Sequence, residues 1–240
     1  PVHEGHDPAH LVGHRALVVS SAIPKDHPEV LAARAQGLAV VRRAEALAEA
    51  TAGGVLIGIA GTHGKSTTTV MTTEALAAAG KAPTGVVGAR VSAWGGNLSR
   101  GGSEVFVVEA DEYDRSFLAL TPTVAVVTNV EADHLDIYRD LQDIHETFST
   151  YVSRARYVVL CADDPGANAL PSPATAEVIR YGLTSPDARL VARDVRSHDG
   201  RTTFTVVYDG APLGEVTLGV PGRHNVRNAL AALACGCLLY

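Results

Sequence analysis

The chain has 240 residues, of which 46% are hydrophobic and 19% are charged, and its formal net charge is −6 at pH 7. This balance is typical of a globular protein, and the acidic charge argues against a nucleic-acid partner or an anionic membrane surface. No apolar stretch approaches the roughly 20 residues that a spanning helix needs, so we expect no membrane insertion. The three cysteines, Cys161, Cys235 and Cys237, show neither metal-site nor disulfide spacing. This predicts reduced thiols and a cytoplasmic location.

The first fifty residues alternate between strand and helix patterns. Apolar stretches predict strands at 15–20 and 38–41, and helical patterns follow them at 28–36 and 42–50. Such alternation is typical of parallel strands joined by right-handed crossovers. The segment Thr51-Ala-Gly-Gly54 interrupts the pattern, so we predict a first domain over 1–53 and a second domain over 54–240.

A second alternation begins at Val55. It predicts strands at 55–60, 104–109, 123–128 and 157–161, helices at 70–79 and 141–152, and a glycine-rich loop at 85–102. Farther along, period-two patterns at 202–208 and 215–220 flank Asp209-Gly210 and predict a hairpin on the edge of a mixed sheet. The last helix begins near His224. We therefore predict an α/β fold whose mostly parallel sheet is flanked by helices and carries an antiparallel hairpin.

A glycine-rich turn joins the predicted strand 55–60 to the helix after it, Gly58-Ile-Ala-Gly-Thr-His-Gly-Lys-Ser-Thr-Thr-Thr69. Glycines let the backbone curl around a phosphate, and the N–H groups and dipole of a helix N-terminus attract it. In such a turn Lys65 can reach the β- and γ-phosphates, and the Ser66 hydroxyl can bind Mg²⁺. The turn predicts phosphate binding. Ile59 stands where the common pattern has glycine, so a plain strand-to-helix turn is the alternative.

Acidic side chains follow the predicted strand 104–109. Glu109 ends this strand, and Asp111 and Glu112 come directly after it. Ligands of open α/β sheets bind at the carboxyl ends of the strands, and Mg²⁺ prefers oxygen ligands. We expect a magnesium ligand here; the alternative is a solvated loop or an acidic first turn of a helix.

A second polar cluster follows the next strand, in Thr128-Asn-Val-Glu-Ala-Asp-His-Leu-Asp136. His134 lies between acids at the same predicted sheet edge as the phosphate turn. We expect it to hold a second divalent ion shared with Glu109, although a lone histidine is more often structural.

Two asparagines open the last helix, in His224-Asn-Val-Arg-Asn228. Asn225 and Asn228 are three residues apart and share a helix face. An amide can donate to and accept from an adenine edge, while simple capping of the helix by Asn225 is the alternative.

These motifs together resemble the Mur ligases, the ATP-dependent amide-forming enzymes of peptidoglycan precursor synthesis. The matching stretches occur in the family's order: Gly61-Thr-His-Gly-Lys-Ser66, Glu109-Ala-Asp-Glu-Tyr-Asp114, the 128–136 cluster and Pro221-Gly-Arg-His-Asn-Val-Arg-Asn228. Ser20-Ser-Ala-Ile-Pro24 and Glu29-Val-Leu-Ala-Ala-Arg34 also resemble the first domain of the member that joins L-alanine to UDP-N-acetylmuramate.

The resemblance implies a three-domain enzyme: a Rossmann-like domain for the uridine nucleotide, a central P-loop-type ATPase domain, and a third domain that brings the amino acid. It implies that the chain holds part of the first domain and the central domain, lacks the third, and by itself has no ligase activity. No protein nucleophile is implied, because the family transfers the γ-phosphoryl group of ATP to the substrate carboxylate and the amine then attacks this acyl phosphate.

Site roles follow from the resemblance. It assigns Lys65, Glu109 and His134 to catalysis, Ser66 and Glu109 to one Mg²⁺, and Glu109 with His134 to another. It assigns the ATP contacts to Gly61, Thr62, His63, Gly64, Lys65, Ser66, Thr67, Asn225 and Asn228. His6, Ser20 and Ser21 match positions near the uridine-nucleotide pocket.

Three other functions compete with this interpretation. Tyr113 resembles the recycling ligase that joins a tripeptide to the same sugar nucleotide, whereas Arg115-Ser-Phe-Leu118 resembles the L-alanine enzyme more. A regulatory module that binds ATP without ligation is a second alternative. A dehydrogenase is a weak third, because the chain carries no dinucleotide fingerprint.

Overall fold

The structure is a computed structural model that describes residues 3–239, and the chain divides into two compact units, Pro1–Ala50 and Thr51–Tyr240. In the first unit a short 3₁₀ turn, Pro8–Leu11, precedes two strand–helix pairs: β1 Ala16–Val19, α1 Pro28–Ala35, β2 Ala39–Arg42 and α2 Arg43–Thr51. Strands β1 and β2 pair in parallel, which confirms the predicted alternation. The predicted domain boundary at residue 53 stays a prediction.

The second unit is built on one ten-stranded sheet. Its strands are β3 Val55–Ala60, β4 Thr84–Val91, β5 Gly96–Ser99, β6 Val105–Glu109, β7 Val124–Val127, β8 Tyr157–Cys161, β9 Glu177–Gly182, β10 Leu190–His198, β11 Arg201–Tyr208 and β12 Ala211–Leu218. They lie in the order β12-β11-β10-β9-β8-β7-β3-β6-β4-β5. Pairing is parallel from β4 through β10, and antiparallel pairs close both edges. The predicted mostly parallel sheet with an antiparallel hairpin is confirmed.

Helices accompany this sheet: α3 Lys65–Ala78, α4 Leu141–Val152, α5 Pro165–Asn168 and α6 Arg223–Leu239, with 3₁₀ turns at Ser92–Trp94 and Tyr113–Ala119. Within residues 3–239, no helix has both the length and the apolarity to span a bilayer.

The structure corrects the prediction of a loop over 85–102. Strands β4 and β5 form an antiparallel pair there, joined by the turn Ser92–Trp94. Glycine is required at Gly85, because an added Cβ would lie 2.6 Å from the Thr73 hydroxyl of α3. A glycine that suggests a loop here instead lets a strand pack closely against a helix.

Strands β9 and β10 were not predicted. Charged residues interrupt their apolar residues, so neither shows a regular period-two pattern. Each is a strand because its backbone pairs in parallel with a neighbouring strand, β9 with β8 and β10 with β9, and so extends the sheet.

The register of three central strands positions the candidate site. Strand β3 is nearly fully buried between β6 and β7, pairing Ile59 with Glu109 and Ala60 with Val127. The loops that leave these three strands therefore start side by side at one carboxyl edge of the sheet, where open α/β sheets bind their ligands.

Candidate active site

The loop between β3 and α3 has the backbone of an anion-binding turn. Gly64 is the residue before the helix, with a left-handed φ of 84°, and Gly61 has a φ of 133°. An added Cβ would lie 2.7 Å from the Asn228 side chain at Gly64 and 2.1 Å from the Thr128 hydroxyl at Gly61. Within residues 3–239 no side chain caps the first turn of α3, so its N–H groups are available to an anion.

The segment after β7 holds this loop in place. The backbone N–H of His63 donates to the Asn129 side chain at 2.7 Å, and the Thr128 hydroxyl donates to the His63 carbonyl at 2.6 Å. The Thr62 hydroxyl accepts the N–H of Glu131 at 3.0 Å. Because the segment after β7 fixes the loop through several hydrogen bonds, the loop has its shape before any ligand arrives.

Lys65 folds back over its own loop. Its Nζ donates to the carbonyls of Gly61 and Thr62 at 2.8 and 3.3 Å, and pairs with Glu112 Oε1 at 2.8 Å. The Lys65 and Glu112 side chains are only 14% and 4% exposed. The ammonium group that we predicted to contact phosphates is therefore held beside the loop by a buried acid.

Glu112 is the central acid of the site, although sequence reasoning counted it only as one member of the acidic run 109–114. Its Oε1 lies 3.8 Å from His134 Nε2, while its buried Oε2 has no hydrogen-bond partner among the described residues. Its carbonyl accepts the Tyr138 hydroxyl at 2.6 Å. Burial raises the pKa of Tyr138 to about 12, so this phenol stays protonated and donates.

Ser66 and Glu109 meet on the other side of the loop. The Ser66 hydroxyl donates to both carboxylate oxygens of Glu109, at 2.9 and 3.1 Å, and the N–H of Gly88 donates to Glu109 Oε2 at 2.7 Å. This arrangement places a hydroxyl and a carboxylate, both suitable Mg²⁺ ligands, in direct contact.

His134 lies beside Glu112. Its backbone is left-handed, with a φ of 53°, and its ring packs edge-on against Tyr113 with the centroids 5.2 Å apart. The predicted sharing of an ion between His134 and Glu109 stays a prediction. The glutamate that lies beside His134 in the structure is Glu112, the second glutamate of the Glu-Ala-Asp-Glu motif.

The start of α6 approaches the loop from another side. The helix begins at Arg223, so the alternative in which Asn225 caps it is wrong; Asn225 instead donates to the Pro221 carbonyl at 2.7 Å. Asn228 Nδ2 lies 3.5 Å from Asn225 Oδ1, consistent with the predicted shared face.

A cavity of about 290 Å³ lies between this helix and the loop. Its walls combine predicted residues with several that sequence reasoning missed: His63, Gly64, Thr128, Asn129, Glu131, Asp164, Tyr181, His224, Arg227 and Asn228. Asn225 does not line it. The cavity adjoins the glycine loop directly, so a ligand with a phosphate tail could occupy both.

The loop that carries Glu112 is anchored by an ion pair. Arg115, whose backbone is left-handed at a φ of 54°, donates twice to the Asp143 carboxylate at 2.7 and 2.8 Å. These bonds lower the pKa of Asp143 to about 2. Arg115 also lies over the Tyr138 ring, 5.0 Å from its centroid, so the anchor and the Glu112 hydrogen bond share a neighbour.

Thr67 lies in the first turn of α3, and the other remaining predicted residues lie in the first unit. Ser20 and Ser21 follow β1 in a turn, where the Ser20 carbonyl accepts the N–H of Ile23 at 3.1 Å. His6 precedes the turn Pro8–Leu11 and pairs with Glu29 at 2.9 Å. Their role toward a uridine nucleotide stays a prediction.

Comparison with known proteins identifies the family. The Mur ligase middle domain matches residues 59–236, and the Mur ligase family catalytic domain matches residues 1–54. The UDP-N-acetylmuramate–L-alanine ligase of Burkholderia ambifaria is 47% identical over 235 residues, covering 96% of this chain and 50% of that protein. The enzyme of the same name from Frankia alni is 47% identical over 94% of this chain and 40% of its own length. The chain thus spans about half the length of the curated relatives it matches.

Solved structures are similar over nearly the whole chain. A UDP-N-acetylmuramate-alanine ligase from Thermotoga maritima superposes with a TM-score of 0.84 at 25% identity, covering 99% of this chain and 54% of that one. A UDP-N-acetylmuramate:L-alanyl-gamma-D-glutamyl-meso-diaminopimelate ligase from Neisseria meningitides gives 0.83 at 27% identity, covering 99% and 78%. Because the middle-domain model alone matches residues 59–236, the chain belongs to the Mur ligase family.

Proposed function

We propose that this chain is the ATP-binding part, with an adjoining portion of the nucleotide-sugar domain, of a cytoplasmic UDP-N-acetylmuramate–L-alanine ligase. The enzyme would form the amide between the carboxylate of UDP-N-acetylmuramate and L-alanine in peptidoglycan precursor biosynthesis. One observation carries the proposal: Lys65 and Ser66, which follow the glycine loop at the start of α3, contact Glu112 just after β6 and Glu109 at its end, at 2.8 Å and 2.9 Å. The 47% identity to relatives of that name supports the choice of substrates.

The residues present fit ATP and Mg²⁺. The glycine loop offers backbone N–H groups where a Cβ could not be accommodated, and the adjoining cavity with Asn228 can take the adenine. Ser66 and Glu109 supply oxygen ligands in direct contact with each other. When bound, Mg²⁺ would neutralise phosphate charge and polarise the transferring group.

The chemistry needs positioning and charge rather than a protein nucleophile. A carboxylate oxygen of UDP-N-acetylmuramate attacks the γ-phosphorus of ATP, the bond to the β–γ bridging oxygen breaks, and ADP leaves. The amine of L-alanine then attacks the acyl phosphate, loses a proton, and expels inorganic phosphate. Lys65 would stabilise the phosphate charge as it moves, at the end of a loop already fixed by Asn129.

The division of labour follows the family match. We propose that residues 1–53 belong to the nucleotide-sugar domain, with His6, Ser20 and Ser21 toward the uridine nucleotide, and that residues 54–240 bind ATP. The chain covers 50% of the Burkholderia enzyme, so we expect ligation only from a protein of that full length.

A second candidate is the recycling ligase that joins a tripeptide to the same sugar nucleotide. The Neisseria structure supports keeping it as an alternative, because its TM-score of 0.83 is nearly equal to the 0.84 of the L-alanine enzyme. The fold therefore does not separate the two, whereas the curated relatives favour L-alanine.

Phosphate release by the full-length protein tests the proposal. We expect release with ATP, UDP-N-acetylmuramate and L-alanine together, and little when any one of them is omitted. An ATP turnover rate that is the same with and without the sugar nucleotide would indicate a nucleotide-binding module instead. Competition between L-alanine and the tripeptide L-alanyl-γ-D-glutamyl-meso-diaminopimelate then decides between the two ligases.

A further inference from the structure

Three histidine side chains converge on one carboxylate in the first unit. Glu29 Oε2 lies 2.9 Å from His6 Nδ1 and 4.0 Å from His27 Nδ1, and Glu29 Oε1 lies 3.4 Å from His10 Nδ1. Ligand atoms of His6, His27 and Glu29 all lie within 4.8 Å of one another. The cluster lies wholly within the first unit and contains none of the residues assigned above to ATP or Mg²⁺.

Local structure holds three of the four residues firmly. His27 is the N-cap of α1, and Glu29 lies in the first turn of that helix. His10 ends the capping box of the turn Pro8–Leu11. The rings also pack on one another: His6 meets His27 edge-on at 4.7 Å, and His10 stacks on His3 at 4.4 Å. The side chains of Glu29, His27 and His10 are mostly covered, at 14, 17 and 25% exposure.

The hydrogen bonds of the cluster show which ring nitrogens lack a proton. His27 Nδ1 accepts the N–H of Glu29 at 3.3 Å, and His10 Nδ1 accepts the N–H of Asp7 at 3.4 Å. A ring nitrogen that accepts a hydrogen bond carries no proton, and its single lone pair points at the N–H group. Both hydrogen bonds are long, so an ion beside Glu29 would take these lone pairs in their place.

The ligand types select the class of cation. Imidazole nitrogens with one carboxylate suit Zn²⁺, Co²⁺ or Ni²⁺, whereas Mg²⁺ prefers oxygen. A tetrahedral zinc ion with bonds of about 2.0–2.1 Å holds its ligand atoms roughly 3.3 Å apart. The separations between histidine nitrogens and Glu29 oxygens, 2.9, 3.4 and 4.0 Å, lie around that value. With the ligand atoms of His6, His27 and Glu29 within 4.8 Å of one another, side-chain rotation can place them around one ion.

We propose that His6, His27 and Glu29, with His10 as fourth ligand, form a binding site for a zinc-class divalent ion. The ion would tie the segment before β1 to the first turn of α1 and so stabilise the first unit. This site uses neither ATP nor the glycine loop, but it shares His6 with the residues proposed for the uridine nucleotide, so its test measures zinc binding without any nucleotide.

Zinc binding by the 240-residue chain tests the proposal without any activity measurement. Equilibrium dialysis with Zn²⁺, in excess Mg²⁺ to occupy oxygen sites, should give one tightly bound zinc per chain. All proteins carry Cys237→Ser, because Cys237 presents an exposed free thiol. Co²⁺ in place of Zn²⁺ should give the intense visible absorption of a tetrahedral ion without a thiolate charge-transfer band.

Three variants locate the site. Glu29→Gln, His27→Ala and His6→Ala should each weaken zinc binding by at least about tenfold. His6 is 60% exposed, so its replacement leaves the packing intact even if the other two variants fold poorly. His198→Ala is the matched control, because His198 pairs with a single acid, Asp199, at 3.0 Å, and it should bind zinc as the parent does. The proposal is overturned if the parent binds no zinc at micromolar concentrations, if His6→Ala binds as the parent does, or if His198→Ala loses binding equally.

Discussion

Lys65 Nζ and Glu112 Oε1 lie 2.8 Å apart, in two side chains that are 14% and 4% exposed. The positive charge of the glycine loop is thus already paired with an acid in the absence of a nucleotide. A phosphate that enters the loop has to share this ammonium group or displace the carboxylate from it. Glu112 therefore affects both the stability of the empty loop and the affinity for the nucleotide, in opposite directions.

We expect Glu112→Gln to destabilise the empty protein and to strengthen its response to ATP. Loss of the carboxylate leaves a nearly buried ammonium group with only two carbonyl partners, which costs about 1–3 kcal/mol. Phosphates no longer compete with an acid for Lys65, so ATP should raise the melting temperature more than in the parent. Thermal unfolding with and without ATP measures both effects. The exposed Glu104, replaced by Gln, is the control and should change neither value; an unchanged melting temperature in Glu112→Gln would contradict the pairing.

Two substitutions of Ser66 distinguish the contribution of its hydroxyl to ion binding from the contribution of the loop's shape. Ser66→Ala removes the group that donates to Glu109 at 2.9 Å, so we expect affinity for Mn²⁺, used as a spectroscopic substitute for Mg²⁺, to fall at least about tenfold. Ser66→Thr keeps a hydroxyl and should bind the ion as the parent does. Titration followed by electron paramagnetic resonance measures free Mn²⁺ directly. Equal loss in both variants would mean that loop packing, and not the hydroxyl, governs the ion.

Gly64→Ala should lower the free energy of unfolding by more than the strain of a left-handed backbone angle alone. Gly64 has a φ of 84°, and a Cβ there would lie 2.7 Å from Asn228 Oδ1. Gly80 is the matched control, because its φ is 78° and nothing lies within 4 Å of its added Cβ. We expect Gly80→Ala to cost the backbone term of about 1–2 kcal/mol, and Gly64→Ala to cost more and to weaken ATP binding. Urea unfolding and nucleotide titration provide the comparison, and equal losses in the two variants would contradict the close approach of α6.

The ion pair between Arg115 and Asp143 makes a pH-dependent contribution to stability. Arg115 lowers the pKa of Asp143 to about 2, below the value of about 3.9 expected in the unfolded chain. A depressed folded pKa stabilises the protein above the unfolded pKa, and this contribution is lost as the pH falls from about 4 toward 2. Asp143→Asn should therefore be less stable than the parent at pH 7, and the difference should shrink over that range. Urea unfolding at several pH values measures it, with the exposed Asp199→Asn as control; a difference that does not depend on pH would exclude the ion pair as its cause.

The sequence predicted the local features of the site because their causes are local. An apolar strand, three glycines and a Gly-Lys-Ser junction predict a turn between a strand and a helix, and the structure has β3 and α3 on its two sides, although α3 begins at Lys65, five residues before the predicted start at Val70. Helix α4 also begins and ends where its pattern predicted, since Asp140 caps it and its apolar face is regular. The β4–β5 pair was missed because its glycines are explained only by the proximity of Thr73 on another element.

The order of the motifs along the chain was enough to identify the family and the edge of the sheet at which its polar residues meet. Strand–turn–helix periodicity is written in neighbouring residues, so the sequence by itself determined it. Which acid faces which cation was decided only by the tertiary structure, because Lys65 and Glu112 are 47 positions apart and meet through the pairing of β3 with β6. The same holds for Glu29, because two of its histidine neighbours, His6 and His10, come from the segment around a separate turn. Side-chain pairs of this kind depend on strand register and helix packing, which spacing along one chain does not encode.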